Sequence, residues 1–354
     1  MNLAMIQTVY FEGIYRMEQK DVILVDYKET DEWEFKKGLE KITGEVWKLD
    51  SKVANIYHKG FGNFFRYGIY FIFPLKYVFR IKQYRNIIAW QQFFGLILAG
   101  YLKALHISNV VGKIYIMELI YKRKKGFKGK IYESFVRYTI TSEYIEKIFV
   151  FSANEKKQYA TFFALPEDKF EVLQLGITDV FNTIKHKITD DGYFLAPGRS
   201  NRDWDFLVNI WDSKRSLKIV CDNYKGDDKA NIEILGNCYK DDYMEQLLHC
   251  HAIIVPLIDE NISSGQLVIL QGKMLGKPVI VTDNCTVREY FVDGEDGYII
   301  KKQKTAFQDA LAKLDDRNEY QRISRNARKN FEKAFSVTAM GESVGRFVNQ
   351  HNRQ

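Results

Sequence analysis

Ser263-Ser264-Gly265-Gln266 opens a run whose residue types suit binding of an anion without a metal. Free amides at a helix start, with hydroxyls beside them, hold phosphate oxygens, and a glycine lets the ligand approach the backbone. Ser263 and Ser264 are N-cap residues by type. Leu267, Leu270 and Met274 recur at helical spacing and predict one buried face. Gly276 predicts a left-handed cap, and Pro278 a stop before the strand Val279-Ile280-Val281.

Two other places have chemical side chains at strand ends. Glu118 ends a predicted strand and is the first acid after Asp50, so it is a candidate general base; a salt bridge to nearby lysines is the plainer reading. Trp90-Gln91-Gln92 also follows a strand, where α/β sites form, and is a candidate acceptor-binding segment. The six histidines show no metal spacing, and a structural or surface role fits each. No glycine-rich dinucleotide fingerprint or kinase-type phosphate loop is present, which argues against a dehydrogenase or a nucleotide kinase.

The elements that must position these residues alternate. Strands are predicted at 21–26, 85–90, 110–117, 147–151 and 170–173, with helices from the last of the 85–90 strand through Leu105, at 130–142 and at 152–163. A polar hinge covers 178–192, strands follow at 193–197 and 232–235, and final helices begin near Ser336. With 354 residues, 46% hydrophobic and 27% charged, the chain fits two globular domains. Cys221, Cys238, Cys250 and Cys285 lack close pairing and read as reduced thiols of a cytosolic protein. Neither a signal peptide nor an apolar run of membrane-spanning length is expected.

The carboxyl-terminal motifs resemble the donor domain of GT-B glycosyltransferases, particularly glycosyltransferase family 4. Val255-Pro256-Leu257, the 263–281 run with Met274, Gly276, Pro278, Val279 and Ile280 in register, and Asp293-Gly294 with Gly297 carry the likeness. Tyr193 to Trp204 resembles the opening strand and Gly-Arg turn, and Ile232 to Tyr239 the strand and turn facing the nucleotide base. The family's paired glutamates are altered: Gln271 stands where the second holds the donor ribose, and either Glu260 or Ser263 fills the first place. The resemblance implies an α/β fold of GT-B architecture, two Rossmann-like parallel-sheet domains facing across a cleft. It puts the acceptor domain at 1–177, the donor domain at 190–335, and a terminal helix, about 336–354, folding back. The implied donor site is Gly198, Arg199, Arg202, Glu260, Ser263, Ser264, Gly265, Gln266 and Gln271, with the arginines on the diphosphate. No metal and no cofactor are expected, the nucleotide sugar being a substrate. A silent subunit partnering a true transferase and a nucleotide-sugar epimerase are the alternatives.

The net charge of +7 is uneven. Residues 51–117 hold nine lysines and arginines, no acid and many aromatics, and Lys122 to Lys130 adds a basic run. Such a surface favours anionic partners. An anionic membrane surface is expected, with the protein peripheral at the cytoplasmic face and the acceptor a glycan or lipid-linked molecule; no nucleic-acid module accompanies the charge. If Pro74 opens a helix, Lys76 and Arg80 form its basic stripe with Tyr77 and Tyr84 flanking.

Overall fold

The computed structural model describes residues 19–54, 61–107, 112–212, 214–226, 229–260 and 264–352. They form two compact units. The described residues up to Lys36, with Thr43–Val150 and Lys156–Val172, make the first; Lys37–Ile42, Phe151–Glu155 and the chain from Leu173 make the second.

Up to residue 172 the chain alternates strands and helices: β1 (Lys20–Val25), α1 (Glu34–Thr43), β2 (Trp47–Ser51), α2 (Phe61–Ile72), α3 (Leu75–Val78), β3 (Tyr84–Ala89), α4 (Gln92–Ala104), β4 (Lys113–Ile116), α5 (Gly126–Ile140), β5 (Ile145–Val150), α6 (Ala153–Phe163) and β6 (Phe170–Val172). The strands pair in parallel in the order β2-β1-β3-β4-β5-β6. Val22–Val25 and Ile87–Ala89 are fully buried, as continuous apolar strands must be when helices cover both faces of a parallel sheet. From β1 the chain goes first to β2 on one side and then to β3 on the other. That reversal opens a crevice beyond the carboxyl ends of β1 and β3.

The second unit repeats the plan with β7 (Tyr193–Pro197), α7 (Trp204–Ile210), β8 (Ser216–Val220), β9 (Ile232–Leu235), α8 (Lys240–His249), β10 (Ala252–Val255), α9 (Gln266–Met274), β11 (Val279–Thr282), β12 (Tyr298–Ile300), α10 (Lys304–Asp315), α11 (Arg317–Ala334) and α12 (Val337–Asn352). The order β12-β11-β10-β7-β8-β9, all parallel, puts its reversal between β7 and β10. These are the strands that precede Gly198 and the Ser264 loop.

Helix α9 is held from its buried side by Lys273. Its ammonium is shut from solvent, 2.8 Å from the Asp296 carboxylate, and donates to the Tyr290 carbonyl at 2.5 Å. Phe291 and Phe335 rings lie 4.9 and 4.8 Å away. Val268, Ile269, Leu270 and Met274 supply the apolar part of that face. Leu267, expected among them, is instead 54% exposed; Val268 and Ile269 carry the stripe one position on. The helix ends as its sequence requires, with Gly276 at φ 65° and Pro278 leading into β11.

Other expectations shift at their edges. Residues 108–111, where an early start to β4 was expected, lie outside the described residues. Helix α5 begins at Gly126, so part of the basic run is helical. The Pro74 helix is a single turn, and Arg80 lies beyond it. Lys76 pairs with Asp50 at 2.6 Å, and Tyr77 and Tyr84 are buried. The expected stripe fails because Tyr77 turns inward to donate to the same Asp50 carboxylate.

Candidate donor and acceptor sites

Just after β7 the chain makes a turn only glycine tolerates. Gly198 has φ 143°, and the Arg202 guanidinium fills the space of its absent Cβ, with Nε 2.6 Å from that point. Arg202 is 8% exposed. Its Nε donates to the Pro197 carbonyl at 3.2 Å and its Nη1 to that of Ser200 at 3.0 Å. Among the described residues no carboxylate pairs with it, and burial pulls its pKa down to about 10. A cation buried without a counter-ion is held at a cost that an incoming anion relieves.

Asn201, with φ 54°, clips this turn to the loop after β10. Its Nδ2 donates to Ser264 Oγ at 2.7 Å and to the Asp259 carbonyl at 3.2 Å, while its Oδ1 accepts from the Asp259 amide at 2.8 Å. A backbone bridge joins Arg202 to Leu257, and the Asp203 amide donates to the Pro256 carbonyl at 2.8 Å. Helix α9 therefore starts beside the arginine turn. Its N-cap is Gly265 at φ 87°, not a serine. Ser264 is spent on Asn201; Ser263 lies outside the described residues. Gln266 opens the helix, as expected. Asparagine in a left-handed turn was the available signal for the clip, and the sequence reading passed over it.

Arg199 sits apart from Arg202. Its exposed guanidinium lies 4.7 Å over the Tyr239 ring and 3.6 Å from Asp222. Asp222 accepts from the Tyr239 hydroxyl and from the Asn237 amide at 2.8 Å, and these bonds, Tyr239 first, hold its carboxyl below the usual range. The cluster caps the ends of β7, β8 and β9. Asp222 escaped the sequence reading because strand β8, which delivers it, did too.

On the other side a cavity of about 650 Å³ lies off β10, β11 and β12, lined by Glu260, Asp283, Asn284, Cys285, Lys301 and Gln303, with Lys302 beside them. Glu260, exposed, reaches it because its carbonyl accepts from the Cys285 amide at 2.8 Å. Gln271 Oε1 accepts from the half-buried Tyr243 hydroxyl at 2.8 Å, which fixes the amide's orientation. Asp203 and Asp205 have a two-residue carboxylate spacing. Asp203, however, caps α7 through the Phe206 amide at 3.0 Å and pairs with Lys302.

In the first unit the crevice residue is Asp26, immediately past β1 and 7% exposed. Its Oδ2 accepts from Gln91 Nε2 at 2.8 Å and from the Tyr70 hydroxyl at 3.0 Å; its Oδ1 has no partner among the described residues. Gln91 Oε1 in turn accepts from the Phe93 amide at 3.3 Å and caps α4. Burial and then Asp26 raise the Tyr70 pKa, so the phenol stays a donor at neutral pH. Trp90 packs edge-on against Trp33 and Phe35 at 4.6 and 5.0 Å. Gln92 is not available to a ligand in the way expected: its amide exchanges two bonds, at 3.0 and 3.3 Å, with the Ile120 backbone. Glu118 is half-buried past β4. Asp26 was missed because a lone acid after a short strand carries no motif.

Two parallel Rossmann-like sheets, each with its crevice at a strand reversal, define the GT-B fold, and the comparisons agree. Residues 211–330 match the family model of the glycosyl transferases group 1. Similar solved structures include a glycosyltransferase from Rickettsia africae, 13% identical over 96% of this chain and 100% of that one, TM-score 0.58. HepE of Anabaena, solved with UDP and glucose, is 11% identical over 94% and 100%, TM-score 0.56. Sucrose-phosphate synthase of Thermosynechococcus elongatus is 12% identical over 95% and 100%, TM-score 0.61. No curated protein matches. The chain has the GT-B fold, and residues 211–330 of its second unit are similar to the group 1 glycosyl transferases.

Proposed function

We propose that this chain transfers a sugar from a nucleotide-sugar donor, held by the second unit, to a glycan or lipid-linked acceptor bound by the first, at a membrane surface. The buried guanidinium of Arg202, which pairs with no carboxylate among the described residues and lies beside the start of α9, carries the reading. In transfer the bond from the sugar's anomeric carbon to the diphosphate breaks as the acceptor oxygen attacks and loses its proton. Arg202 and the α9 amides stabilise the charge that develops on the leaving diphosphate, so no metal is required for that role.

Chemistry assigns the ends of the donor. Arg199 and Tyr239 offer flat faces to a base; Glu260 and Gln303 offer a carboxylate and an amide to sugar hydroxyls. Asp26 and Gln91 are the acceptor-side polar pair. Calorimetry with nucleoside diphosphates tests the donor site, and binding by none of them overturns it. Loss of transfer in chelator, restored by magnesium or manganese, overturns metal independence.

The membrane reading rests on side chains the core leaves outside. Phe64, Phe79 and Phe127 are 75%, 83% and 77% exposed, and Phe65, Phe71, Ile72 and Ile131 are exposed too. Phe71 of α2 meets Phe135 of α5 at 6.3 Å, so the two helices are neighbours, and Lys122–Lys125, Lys128 and Lys130 stand exposed around the start of α5. Aromatic rings at headgroup depth with lysines toward lipid phosphates suit an interfacial surface. Among the described residues no helix is long and apolar enough to cross a membrane. One observation favours a silent subunit instead: an amide, Gln271, replaces the carboxylate at the ribose position. Nucleotide binding without any transfer across a panel of donors and acceptors would select that alternative.

A further inference from the structure

The first unit holds a second cavity, about 610 Å³, between the segment after β4 and the C-terminal half of α6. Its lining includes Tyr121, Arg123, Lys157, Tyr159, Thr161 and Phe162. The floor is aromatic. Tyr121 stacks on Tyr132 at 5.5 Å and meets Phe162 and Phe163 at 5.2 Å each. The Tyr121 hydroxyl is closed off from solvent and lies within reach of the Glu133 carboxylate.

The charged lining is cationic only. Arg123 is loosely held: Glu133 lies 3.9 Å away and has its closer partner in Arg137 at 3.0 Å, and the Phe162 ring is 6.0 Å from the Arg123 guanidinium. Lys157 is exposed. An ordinary solvated patch would lack the ring floor, and an ordinary core would leave no cavity of ligand size. Arg123 also sits within the exposed basic run 122–130, next to the aromatic face assigned to the membrane.

We propose that this cavity binds the phosphate end of a membrane amphiphile, with the phosphate between Arg123 and Lys157 and the first chain carbons over Tyr121, Tyr159 and Phe162. The lipid source rests on the membrane reading above; the site does not depend on the donor site. The ligand needs both parts. A phosphate alone has no use for the rings, and an alcohol of the same chain leaves both cations unanswered.

The full chain is titrated calorimetrically with dodecyl phosphate below its micelle concentration, with dodecanol, and with inorganic phosphate. Dodecyl phosphate should bind at least tenfold more tightly than either of the others. Arg123→Ser with Lys157→Ser should weaken it at least tenfold, and Thr161→Trp, which fills the cavity from an exposed position, should do the same. Equal binding of inorganic phosphate, no binding of dodecyl phosphate, or full affinity in either variant overturns the proposal. Nucleoside diphosphate titrations on the same samples report the donor site separately: their affinity should be unchanged in both variants, and their failure in the wild type would strike the donor reading alone.

Discussion

Arg202→Met separates a binding role from a structural one, because the two predict different signs. The side chain is buried with no counter-ion among the described residues, and burial pulls its pKa down from its ordinary value to about 10. At 1.36 kcal/mol per tenfold change, that is about 3 kcal/mol of unfavourable charge burial. Methionine fills similar volume without that burden, but it gives up the bonds to the Pro197 and Ser200 carbonyls. Each hydrogen bond to a charged group is worth roughly 1.5–3 kcal/mol, and toward the low end of that range the two lost bonds offset the gain to within about 1–2 kcal/mol. The unliganded variant should keep its stability within about 1–2 kcal/mol by denaturant melt. Affinity for a nucleoside diphosphate should fall by about 1.5–3 kcal/mol, roughly 10- to 150-fold. The wild type should therefore gain more melting temperature from ligand than the variant does. A variant that loses 4 kcal/mol unliganded yet binds nucleotide normally would make Arg202 a strut for the Gly198 turn and refute the reasoning.

Arg199→Ala should weaken nucleotide binding if the arginine leaves Tyr239 for the ligand; unchanged calorimetric affinity removes it from the site. Asp26→Asn should lower transfer at least tenfold with nucleoside diphosphate affinity unchanged, and equal losses in both would place its effect on folding. Lys273→Met leaves the buried Asp296 carboxylate without its cation, holding only the Val292 amide, so denaturant melts should show a loss of roughly 3–5 kcal/mol, largely recovered when Asp296→Leu is added. Burial, chiefly, raises the Glu155 pKa in the folded state, which then binds its proton more tightly than the unfolded chain. Ionisation therefore costs stability as pH rises through the carboxylate range, and Glu155→Gln should stabilise at pH 7 with the gain vanishing below about pH 4. Co-sedimentation should rise with anionic lipid and fall when Lys122, Arg123, Lys124 and Lys125 become Ser; equal sedimentation with neutral vesicles refutes electrostatic docking.

The parts of the fold legible in the sequence were those with strong local grammar. The runs that became β1, β3, β7 and β11 are apolar and short, and Gly276-Lys277-Pro278 marked the end of α9 unambiguously. Strands β2 and β8, Trp47–Ser51 and Ser216–Val220, alternate or mix polar residues and gave no such signal. Site residues divided the same way. Gly198, Arg202 and Gly265 lie on recognisable turns. Asp222 and Tyr239 meet only because β8 and β9 are neighbours, and Asp26 meets Gln91 across 65 residues of chain. The aromatics of 64–79 were correctly seen as exceptional, but which face water depended on Asp50, a long-range partner of Lys76 and Tyr77. Pairings at such sequence separation leave no local trace.

The second unit is not a contiguous stretch of chain. Residues 37–42 belong to it, and they pack on α12: Lys41 pairs with Glu342 at 2.8 Å, and Asn349 donates to the Ile42 carbonyl at 2.8 Å. Gly38 and Gly345 lack the Cβ atoms that this approach would exclude. During synthesis, then, this segment waits for a helix made some 300 residues later. Until α12 leaves the ribosome that contact cannot close, so the face of residues 37–42 that meets it stays open while the intervening chain is made. A permuted chain that places residues 37–42 directly after α12 would bring those partners together early and should shorten the time during which the nascent protein exposes that face.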